Sequence, residues 1–447
     1  MRILFFVQPG EYTRHIMRDF VTGFEKAGHE PMILELASLW NKYGAEPTNQ
    51  KLLASASESL VRMVREKGID ATCAMEGLGL RSFAHTTGKG RHLTVFDVMK
   101  VPHMLFWFEA PQWADAGRYG PFFGTQLMNT KALVHATDNA ATAREMRDRL
   151  GMSNTIHTPW AADPDVFKPH PDAKAEYDIV VSCGKGNPDP TALAMKELDN
   201  DEPDTTAIRR DLLSHIRPFM KEFASKSPKP GEIEAFLESM LESQINDRDT
   251  PVLDRMDKLA ASDYKMGEAL RTIGAVPQAL VHTLRIIRNV EISERAFLVS
   301  WLSRRFRTLI IGDHNLQKWE VRADQEKAVR HPEMSRALAR GKVVVHTSRW
   351  QDDASLGTRP FEIAQTGLAG VVQRRRGVES CFEHGREMSF FDTPSEASKE
   401  IRKLLGDDNL RKSVGDAARA RAERDHTWKN RAVVFAEAID AAKKRLV

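Results

Sequence analysis

The chain has few cysteines, and their positions give no sign of a covalent or metal-bound framework. Cys73, Cys183 and Cys381 are odd in number and lie far apart in the sequence. Such a set argues against a disulfide scaffold, and it lacks the close pairs that zinc sites use. The sequence therefore excludes a disulfide-rich or zinc-finger type of protein.

Long apolar runs and an excess of charge of one sign are missing as well. No apolar run approaches the ~18 residues that span a bilayer, and the opening MRILFFVQPGE becomes polar too early for a signal peptide. The 65 Lys and Arg residues face 62 Asp and Glu residues, so no bulk positive field favours nucleic acid. We expect a cytoplasmic protein with no transmembrane segment and no nucleic-acid partner.

The material for large cores is present. The chain has 447 residues, of which 41% are hydrophobic and 28% charged, enough for two to three globular domains. The N-terminal third opens with a strand at 2–7, a helix at 13–27 and a strand at 32–36, a βαβ pattern that predicts a doubly wound parallel sheet. Further predicted elements are strands at 71–75, 103–108 and 132–136, and helices at 50–67 and 139–150.

A second sheet is predicted beyond a proline-bearing linker at 158–171. Its strands are expected at 177–182, 308–311, 343–346 and 369–373. Between 187 and 290 lie several amphipathic helical patterns, which predict an inserted helical subdomain. The apolar stripes of two of its helices are Ile208, Leu212, Ile216, Phe219 and Phe223, then Ile233, Phe236, Leu237, Met240, Leu241 and Ile245, and a further helix is expected to start at Pro277.

The most informative motif is GTRPFEIAQTG, from Gly357 to Gly367. Gly357 lets the backbone approach a ligand, Thr358 suits an N-cap and Gly367 a left-handed C-cap. A helix that starts so abruptly presents unpaired N–H groups, which stabilise an anion such as a diphosphate. Glu362, one turn into the helix, could accept hydrogen bonds from a ribose diol; the alternative is that it only complements the helix dipole.

This motif and those after it resemble the C-terminal domain of GT-B glycosyltransferases, most closely the CgeB-like, spore-maturation-type group. In that group a TR-x-FE helix precedes a G-x-E-x-x-F-x-x-G-x-E turn and a closing H-T-x-x-x-R. The matching residues here are Thr358, Arg359, Phe361 and Glu362, then Gly377, Glu379, Phe382, Gly385 and Glu387, then His426, Thr427 and Arg431. One departure is Ala354, which stands where retaining transferases of family 4 place a second Glu, so a retaining mechanism is not implied.

The resemblance implies an α/β protein of the GT-B fold, with two Rossmann-like doubly wound parallel-sheet domains facing a cleft and an inserted helical subdomain. We expect an N-terminal, acceptor-side domain at 1–165 and a nucleotide-sugar-binding domain at 172–187 and 291–425. The helical insertion takes up 188–290, and a C-terminal helix at 426–447 is expected to cross back to the N-terminal domain.

The expected donor site collects residues at the carboxyl ends of the second sheet's strands. Gly184 and Lys185 follow its first strand, and Gly312 and Asp313 follow its second. Arg295 falls where the family keeps an Arg on the first helix, so it is a candidate ligand of the diphosphate; a solvated charge is the alternative. The complete predicted donor-binding set is Gly184, Lys185, Arg295, Gly312, Asp313, Gly357, Thr358, Arg359, Phe361 and Glu362.

The expected catalytic base lies in the first domain. Glu109 ends the run FWFEAP, which resembles the family's W-F-x-D-P loop, and Glu11 follows the first strand. A carboxylate or imidazole near an acceptor hydroxyl can act as the base of an inverting transfer, so Glu109, Glu11 and His85 are the candidates. Neither a metal ion nor another cofactor is expected, because Asp352 and Asp353 are adjacent and GT-B enzymes resemble one another in needing no metal.

We therefore expect a metal-independent glycosyltransferase that moves a sugar from a nucleotide diphosphate sugar to a glycan, lipid-linked or protein hydroxyl. A bacterial surface glycan or surface protein is the acceptor that the family suggests. Two alternatives stay open: a non-catalytic GT-B-like scaffold, and a sugar-nucleotide epimerase. The insert is expected to dock the acceptor or to join copies into a homo-oligomer. Two basic clusters are expected to contact anionic lipid or an acidic acceptor, with solvated faces as the alternative: Arg304, Arg305 and Arg307, and Arg374 to Arg376.

Overall fold

Two separate parallel sheets organise the computed structural model of the chain. It describes residues 1–7, 11–36, 50–75, 84–86, 92–107, 110–111, 126–182, 189–212, 214, 216–247, 250–288, 291–312, 316–348 and 354–447. The chain divides into two compact units, the first made of residues 1–159 and 427–447 and the second of residues 160–426. None of the described helices is both long enough and apolar enough to span a bilayer.

The first unit contains a six-stranded parallel sheet of order β2-β1-β3-β6-β7-β8 and a small antiparallel pair, β4 with β5. Runs of buried apolar residues form its central strands, as the sequence predicts for strands covered on both faces. The strands are β1 Arg2–Val7, β2 Glu30–Glu35, β3 Ala71–Met75, β4 Ala84–Thr86, β5 His92–Thr94, β6 His103–Trp107, β7 Leu133–Thr137 and β8 Thr155–His157. The helices are α1 Glu11–Lys26, α2 Gln50–Lys67, α3 Val95–Met99, α4 Ala140–Asp148 and, from the chain's end, α17 Trp428–Leu446.

The C-terminal helix α17 completes the core of the first unit. Phe20 on α1 contacts Phe5 of β1 edge to face at 5.8 Å, and it also contacts Trp428 and Phe435 of α17 at 5.3 and 5.4 Å. The two helices approach closely at Gly23, where a Cβ atom would stand 2.5 Å from the Cβ of Trp428. Aromatic side chains of this size dominate the energetics of a core, so removing α17 would open the apolar face of the first sheet.

The second unit contains a six-stranded parallel sheet of order β11-β10-β9-β12-β13-β14. In sequence ranks within the unit this is 3-2-1-4-5-6, the order of a Rossmann sheet. The strands are β9 Tyr177–Ser182, β10 Thr308–Ile311, β11 Asp324–Glu326, β12 Gly341–His346, β13 Ala369–Gln373 and β14 Ser389–Phe391. The helices outside the inserted segment are α12 Glu291–Ser303, α13 Met334–Leu338, α14 Arg359–Thr366, α15 Pro394–Gly406 and α16 Asp408–Asp425.

The segment between β9 and α12 is helical. Its described helices are α5 Ala192–Glu197, α6 Thr205–Leu212, α7 Arg217–Ser225, α8 Pro230–Asn246, α9 Val252–Ser262, α10 Tyr264–Gly274 and α11 Pro277–Arg288. The first two belong to the core of the sheet, since Ala194 and Ile208 are buried in one apolar cluster with Ile179 and Trp301. Of the remaining five helices, α7, α9 and α11 pack against α8 and α10.

One sequence prediction about packing is wrong. Phe219, assigned to an apolar stripe, is 63% exposed, because α7 is short and turns Met220 and Ala224 inward instead. The stretch 158–171, predicted as a linker, contains the boundary between the two units at residues 159 and 160, and two of its aromatic side chains are buried: Trp160 and Phe167 are 3% and 1% exposed. Its apolar side chains provide packing area that a solvated linker would leave in water.

Candidate active site

The strand order of the second unit points to one place on its sheet. β9 and β12 are neighbours, and the connections after them leave toward opposite sides of the sheet. In open α/β sheets this switch point, at the carboxyl ends of the strands, is where ligands bind. After β9 come Gly184 and Lys185, which lie outside the described residues, and after β12 comes the approach to α14.

Hydrogen bonds hold both ends of the connection from β12 to α14. The Ser348 N–H donates to Oε1 of Gln373 at 3.2 Å, and the Ser348 hydroxyl donates to the Gln373 carbonyl at 3.2 Å. Nearer the helix, the Gly357 N–H donates to the Ser355 hydroxyl at 3.0 Å. Gly357 has φ +63°, a left-handed conformation that favours glycine, and its close approach to a ligand stays a prediction.

The helix α14 begins and ends as predicted, with one difference. Pro360 lies in the first turn, and Gly367 ends the helix with φ +71°. Thr358 occupies the N-cap position, but its backbone is helical and its side chain makes no capping bond. Since Pro360 has no N–H, the Arg359 and Phe361 N–H groups are the first-turn donors that lack an acceptor within the helix.

Glu362 is a buried carboxylate in the first turn of α14. Its side chain is 4% exposed, and its Oε2 is in contact with Nη1 of Arg359. Nδ1 of His331 lies 4.0 Å from Oε1. Among the described residues, none donates a hydrogen bond to Oε2. The carboxylate is thus charge-compensated and keeps acceptor capacity, which is what recognition of hydroxyl groups needs.

Phe361 faces the interior of the second unit. It is 1% exposed, and its ring lies 5.5 Å from that of Phe382 and 5.1 Å from that of His426. Nε2 of His426 donates a hydrogen bond to the Cys381 carbonyl at 3.0 Å. Phe361 therefore anchors α14, and its contact with a donor stays a prediction.

The turn after β13 explains the other motif residues in structural terms. Gly377 and Gly385 both have left-handed backbones, with φ +83° and +75°. Glu379 pairs with Arg374 at 2.7 Å, and Oε2 of Glu387 accepts the Glu383 N–H at 2.9 Å. These carboxylates stabilise the turn, so the spacing of the motif reflects its fold.

The closing H-T-x-x-x-R residues link the end of the second unit to α17. Thr427 caps α17 in a reciprocal capping box with Asn430. Nε of Arg431 donates to the Pro159 carbonyl at 2.6 Å, within the first unit. In this structure Thr427 therefore starts α17, and Arg431 bonds that helix to the chain at Pro159.

Arg295 lines a different, narrow pocket at the carboxyl ends of β13 and β14. Beside it, Arg209 and Glu294 form an ion pair with side chains only 12% and 14% exposed. Neither Arg359 nor Glu362 lines this pocket. The structure thus does not bring the two predicted diphosphate ligands, Arg295 and Arg359, into one described pocket.

The other predicted residues fall into two groups. Gly312 is described: its φ is +135°, and its N–H donates to the Glu326 carbonyl at 2.9 Å at the end of β10. Asp313 and Glu109 lie outside the described residues, as do Asp352 and Asp353. Glu11 begins α1 and His85 lies in β4, but only their backbones are described. In the described parts of the chain no group of three or more His, Cys, Asp or Glu residues could hold a metal ion.

Sequence reasoning missed His331 as a neighbour of Glu362. The His331 ring packs against Phe167 at 4.9 Å, and the two residues are brought together only by the fold. A short HPE turn gives no sign of a partner 31 residues later, at Glu362. Trp319, which follows β10, is 0% exposed and packs in the apolar core of the second unit.

Comparison with known proteins supports the class. A family model described as "Glycosyl transferase-like" matches residues 289–437, which include α14 and its loop. A glycosyltransferase from Rickettsia africae is 10% identical over 99% of this chain and 98% of that one, with a TM-score of 0.51. Anabaena Alr3699/HepE, solved in complex with UDP, is 11% identical over 99% and 100%, with a TM-score of 0.51. Sucrose-phosphate synthase from Thermosynechococcus elongatus is 9% identical over 99% and 98%, also at 0.51.

These similarities identify the fold as that of the GT-B glycosyltransferases, two Rossmann-like parallel-sheet units, as expected. The family match over residues 289–437 identifies this segment as a glycosyl transferase-like domain and confirms the expected enzyme class. No curated protein matches the chain.

Proposed function

We propose that the chain transfers a sugar from a nucleoside diphosphate sugar, held at the start of α14, to a hydroxyl of a glycan, a lipid-linked sugar or a protein. The observation that carries this is the state of Glu362: buried, paired with Arg359, and with an oxygen that accepts no hydrogen bond from a described residue. The Oε2 atom in contact with Arg359 still has a lone pair that a ligand's hydroxyl can use.

The same helix end suits the leaving group. The N–H groups of Arg359 and Phe361 and the positive end of the helix dipole stabilise negative charge that develops on the departing diphosphate. Because this term needs no cation, we propose that the enzyme requires no metal ion or other cofactor. Retained activity in excess EDTA is the expected result, and loss of activity that Mg²⁺ or Mn²⁺ restores would overturn it.

The acceptor side rests on the first unit. Glu109, Glu11 and His85 remain the proposed candidates for the base that takes the acceptor's proton. We propose the CgeB-like group as the subtype, on the residues of the three motifs, and with it a bacterial surface glycan or protein as acceptor and a cytoplasmic location. NMR of the product would show whether the enzyme, which has Ala354 in place of a second Glu, inverts the anomeric configuration of the transferred sugar.

A panel of ligands tests the proposal directly. Thermal unfolding would be followed with UDP, GDP, dTDP and CMP and with their sugars, since a ligand that binds only the folded state stabilises it, by about 2.7 kcal/mol at a hundredfold excess over its Kd. One nucleoside diphosphate and its sugar should raise Tm, and the sugar nucleotide should be consumed when acceptor extract is added.

The outcome separates the alternatives. Binding without turnover in the presence of acceptor would favour a scaffold, and conversion of the sugar without acceptor would favour an epimerase. If no nucleotide raises Tm, the donor site is wrong.

A further inference from the structure

Three consecutive arginines stand at the carboxyl end of β13. Arg374, Arg375 and Arg376, together with Gly377 and Glu379, line an open surface pocket, the arginine pocket. Its other wall is Thr250, from the segment between α8 and α9. Since β12 and β13 are parallel neighbours, this pocket opens at the same edge of the sheet as the start of α14.

One of the three arginines in the arginine pocket has no carboxylate partner among the described residues. Arg374 is compensated, because it pairs with Glu379 at 2.7 Å and with Asp392 at 3.1 Å. Arg376 is exposed and makes no ion pair among the described residues. Arg376 thus gives the arginine pocket a guanidinium group that an anionic ligand can meet.

The other basic cluster of the unit differs in this respect. Arg304 pairs with Asp199 and Glu320, and Arg305 pairs with Asp201. Arg307 lies over the ring of Tyr177 at 5.2 Å. Most of the positive charge of Arg304, Arg305 and Arg307 is therefore neutralised, which weakens their predicted contact with an anionic surface. In the arginine pocket, Arg376 has no such partner among the described residues.

The arginine pocket is also built into the fold. Arg375 is only 4% exposed, and its Nη1 donates to the Arg374 carbonyl at 3.3 Å. The guanidinium of Arg374 lies over the ring of Phe390 at 5.8 Å, and the left-handed Gly377 turns the chain directly after Arg376. A planar guanidinium held in place matches the oxygens of a phosphate better than a mobile surface lysine does.

We propose that the arginine pocket binds a phosphate group carried by the acceptor substrate. The proposal rests on the proposed transfer reaction. The donor's diphosphate has its own place at the N-terminal end of α14, which follows β12, whereas the arginine pocket lies beyond β13. Thr250 adds a wall from the inserted helices, which follow the first strand of the unit and are not part of its sheet. The enzyme would therefore select acceptors that carry phosphate near the hydroxyl to be glycosylated.

The test uses the full chain, with Arg376→Ala and Arg376→Glu as variants and Arg424→Ala as control. Arg424 is an exposed arginine of α16 that pairs with Asp425 outside the pocket. Binding of inorganic phosphate and of glycerol 3-phosphate would be measured by ³¹P NMR titration. We expect millimolar affinity for wild type and control, an affinity about tenfold lower for Arg376→Ala, and a larger loss for Arg376→Glu.

Affinity for the stabilising nucleoside diphosphate, measured by calorimetry, separates this proposal from the donor site. If Arg376→Ala loses nucleotide affinity as well, the pocket belongs to the donor and the proposal is wrong. Equal phosphate affinity in all variants, or none in wild type, would also overturn it. If no nucleotide binds although phosphate does so through Arg376, the donor assignment fails and the phosphate site stands.

Two further arms distinguish the sources of the phosphate. Flotation with phosphatidylglycerol vesicles, against phosphatidylcholine vesicles, tests a lipid-borne group, and competition by a soluble sugar phosphate tests a glycan-borne one. If Arg376→Glu no longer binds the phosphatidylglycerol vesicles, the result supports a lipid-borne phosphate. If the soluble sugar phosphate no longer competes in that variant, the result supports a glycan-borne phosphate. Vesicle binding that the variants keep unchanged counts against the lipid source.

Discussion

Gly415 of α16 lies against the carbonyl oxygen of Gly367, the C-cap of α14, so closely that a Cβ atom at position 415 would stand 2.0 Å from that oxygen. No side chain fits there unless one of the two helices moves. Because α14 carries Glu362 and Arg359, the position of the candidate donor site depends on Gly415, which follows Glu362 by 53 positions in the chain.

We expect Gly415→Ala to destabilise the second unit by about 1 to 3 kcal/mol and to weaken nucleotide binding, since overpacking displaces α14. Gly231→Ala is the matched control: it also lies in a helix, but its Cβ would meet nothing within 4 Å. The control should be neutral or slightly stabilising. Urea unfolding and calorimetry measure the two effects, and equal behaviour of the two variants would show that the contact has no influence.

Glu362→Gln should lower affinity for the nucleoside diphosphate ten- to a hundredfold, because a charge-assisted bond to a ribose hydroxyl is worth about 1.5 to 3 kcal/mol. Glutamine keeps the shape of the buried side chain but leaves Arg359 without its carboxylate. A 2′,3′-dideoxynucleotide provides the control, since the variant should bind it as wild type does. Unchanged affinity for the normal nucleotide would remove Glu362 from the site.

The two candidate phosphate ligands make different predictions. Replacing the arginine that holds the diphosphate by Ala should reduce affinity for the nucleoside diphosphate more than for the nucleoside. Arg359→Ala is expected to show this difference, because Arg359 lies in the first turn of α14. Arg295→Ala should not, because its pocket is separate from α14. The opposite pattern, measured by calorimetry, would move the diphosphate to the pocket of Arg295.

Two buried histidines predict how the first unit responds to acid. Burial lowers the pKa of His103 to about 3 and that of His135 to about 4. His135 is held neutral, since its Nδ1 accepts from Trp107 and its Nε2 donates to the Met128 carbonyl. Both values lie below the usual 6.5, so the unfolded chain binds more protons than the folded one below that pH. Stability is fully present above pH 6.5. It falls as the pH decreases from 6.5 to about 4, by about 1.4 kcal/mol per pH unit for each histidine.

Urea unfolding at a series of pH values checks this slope. In His135→Gln the slope should decrease by the share of one histidine, because glutamine can donate and accept without titrating. An unchanged slope would mean that protonation of His135 does not limit the first unit.

The inserted helices can be removed only in part. α5 and α6 share the apolar cluster of the sheet, whereas the later helices pack around α8 and α10. We expect replacement of residues 217–288 by a short Gly/Ser linker to leave a chain that still binds nucleotide but loses transfer to its acceptor or self-association. Removal of residues 192–288 should unfold the second unit. If the shorter deletion keeps full transfer and the same oligomeric state, the insert only shields the flank of the domain.

The sequence predicts the fold well wherever short-range chemistry decides it. The bounds of β9, β10 and β13 agree with those predicted, since each is an apolar run that ends at a polar or glycine residue. The start and end of α14 follow from Pro360 and Gly367. The site is less predictable: the contact of Glu362 with His331 and the approach of Gly415 to Gly367 join residues far apart in sequence, and no local pattern marks them.

The first unit closes with α17, whose Trp428 and Phe435 follow the whole second unit in sequence. A ribosome therefore releases every residue of the second unit before it releases the last helix that the first unit needs. Since domains fold as units during synthesis, the second unit can form its core first. During that time the apolar surface of the first unit around Phe20 of α1 lacks its contacts with α17. Nascent chains stalled before Trp428 should thus expose apolar surface from the oldest part of the polypeptide, which is where a chaperone would bind.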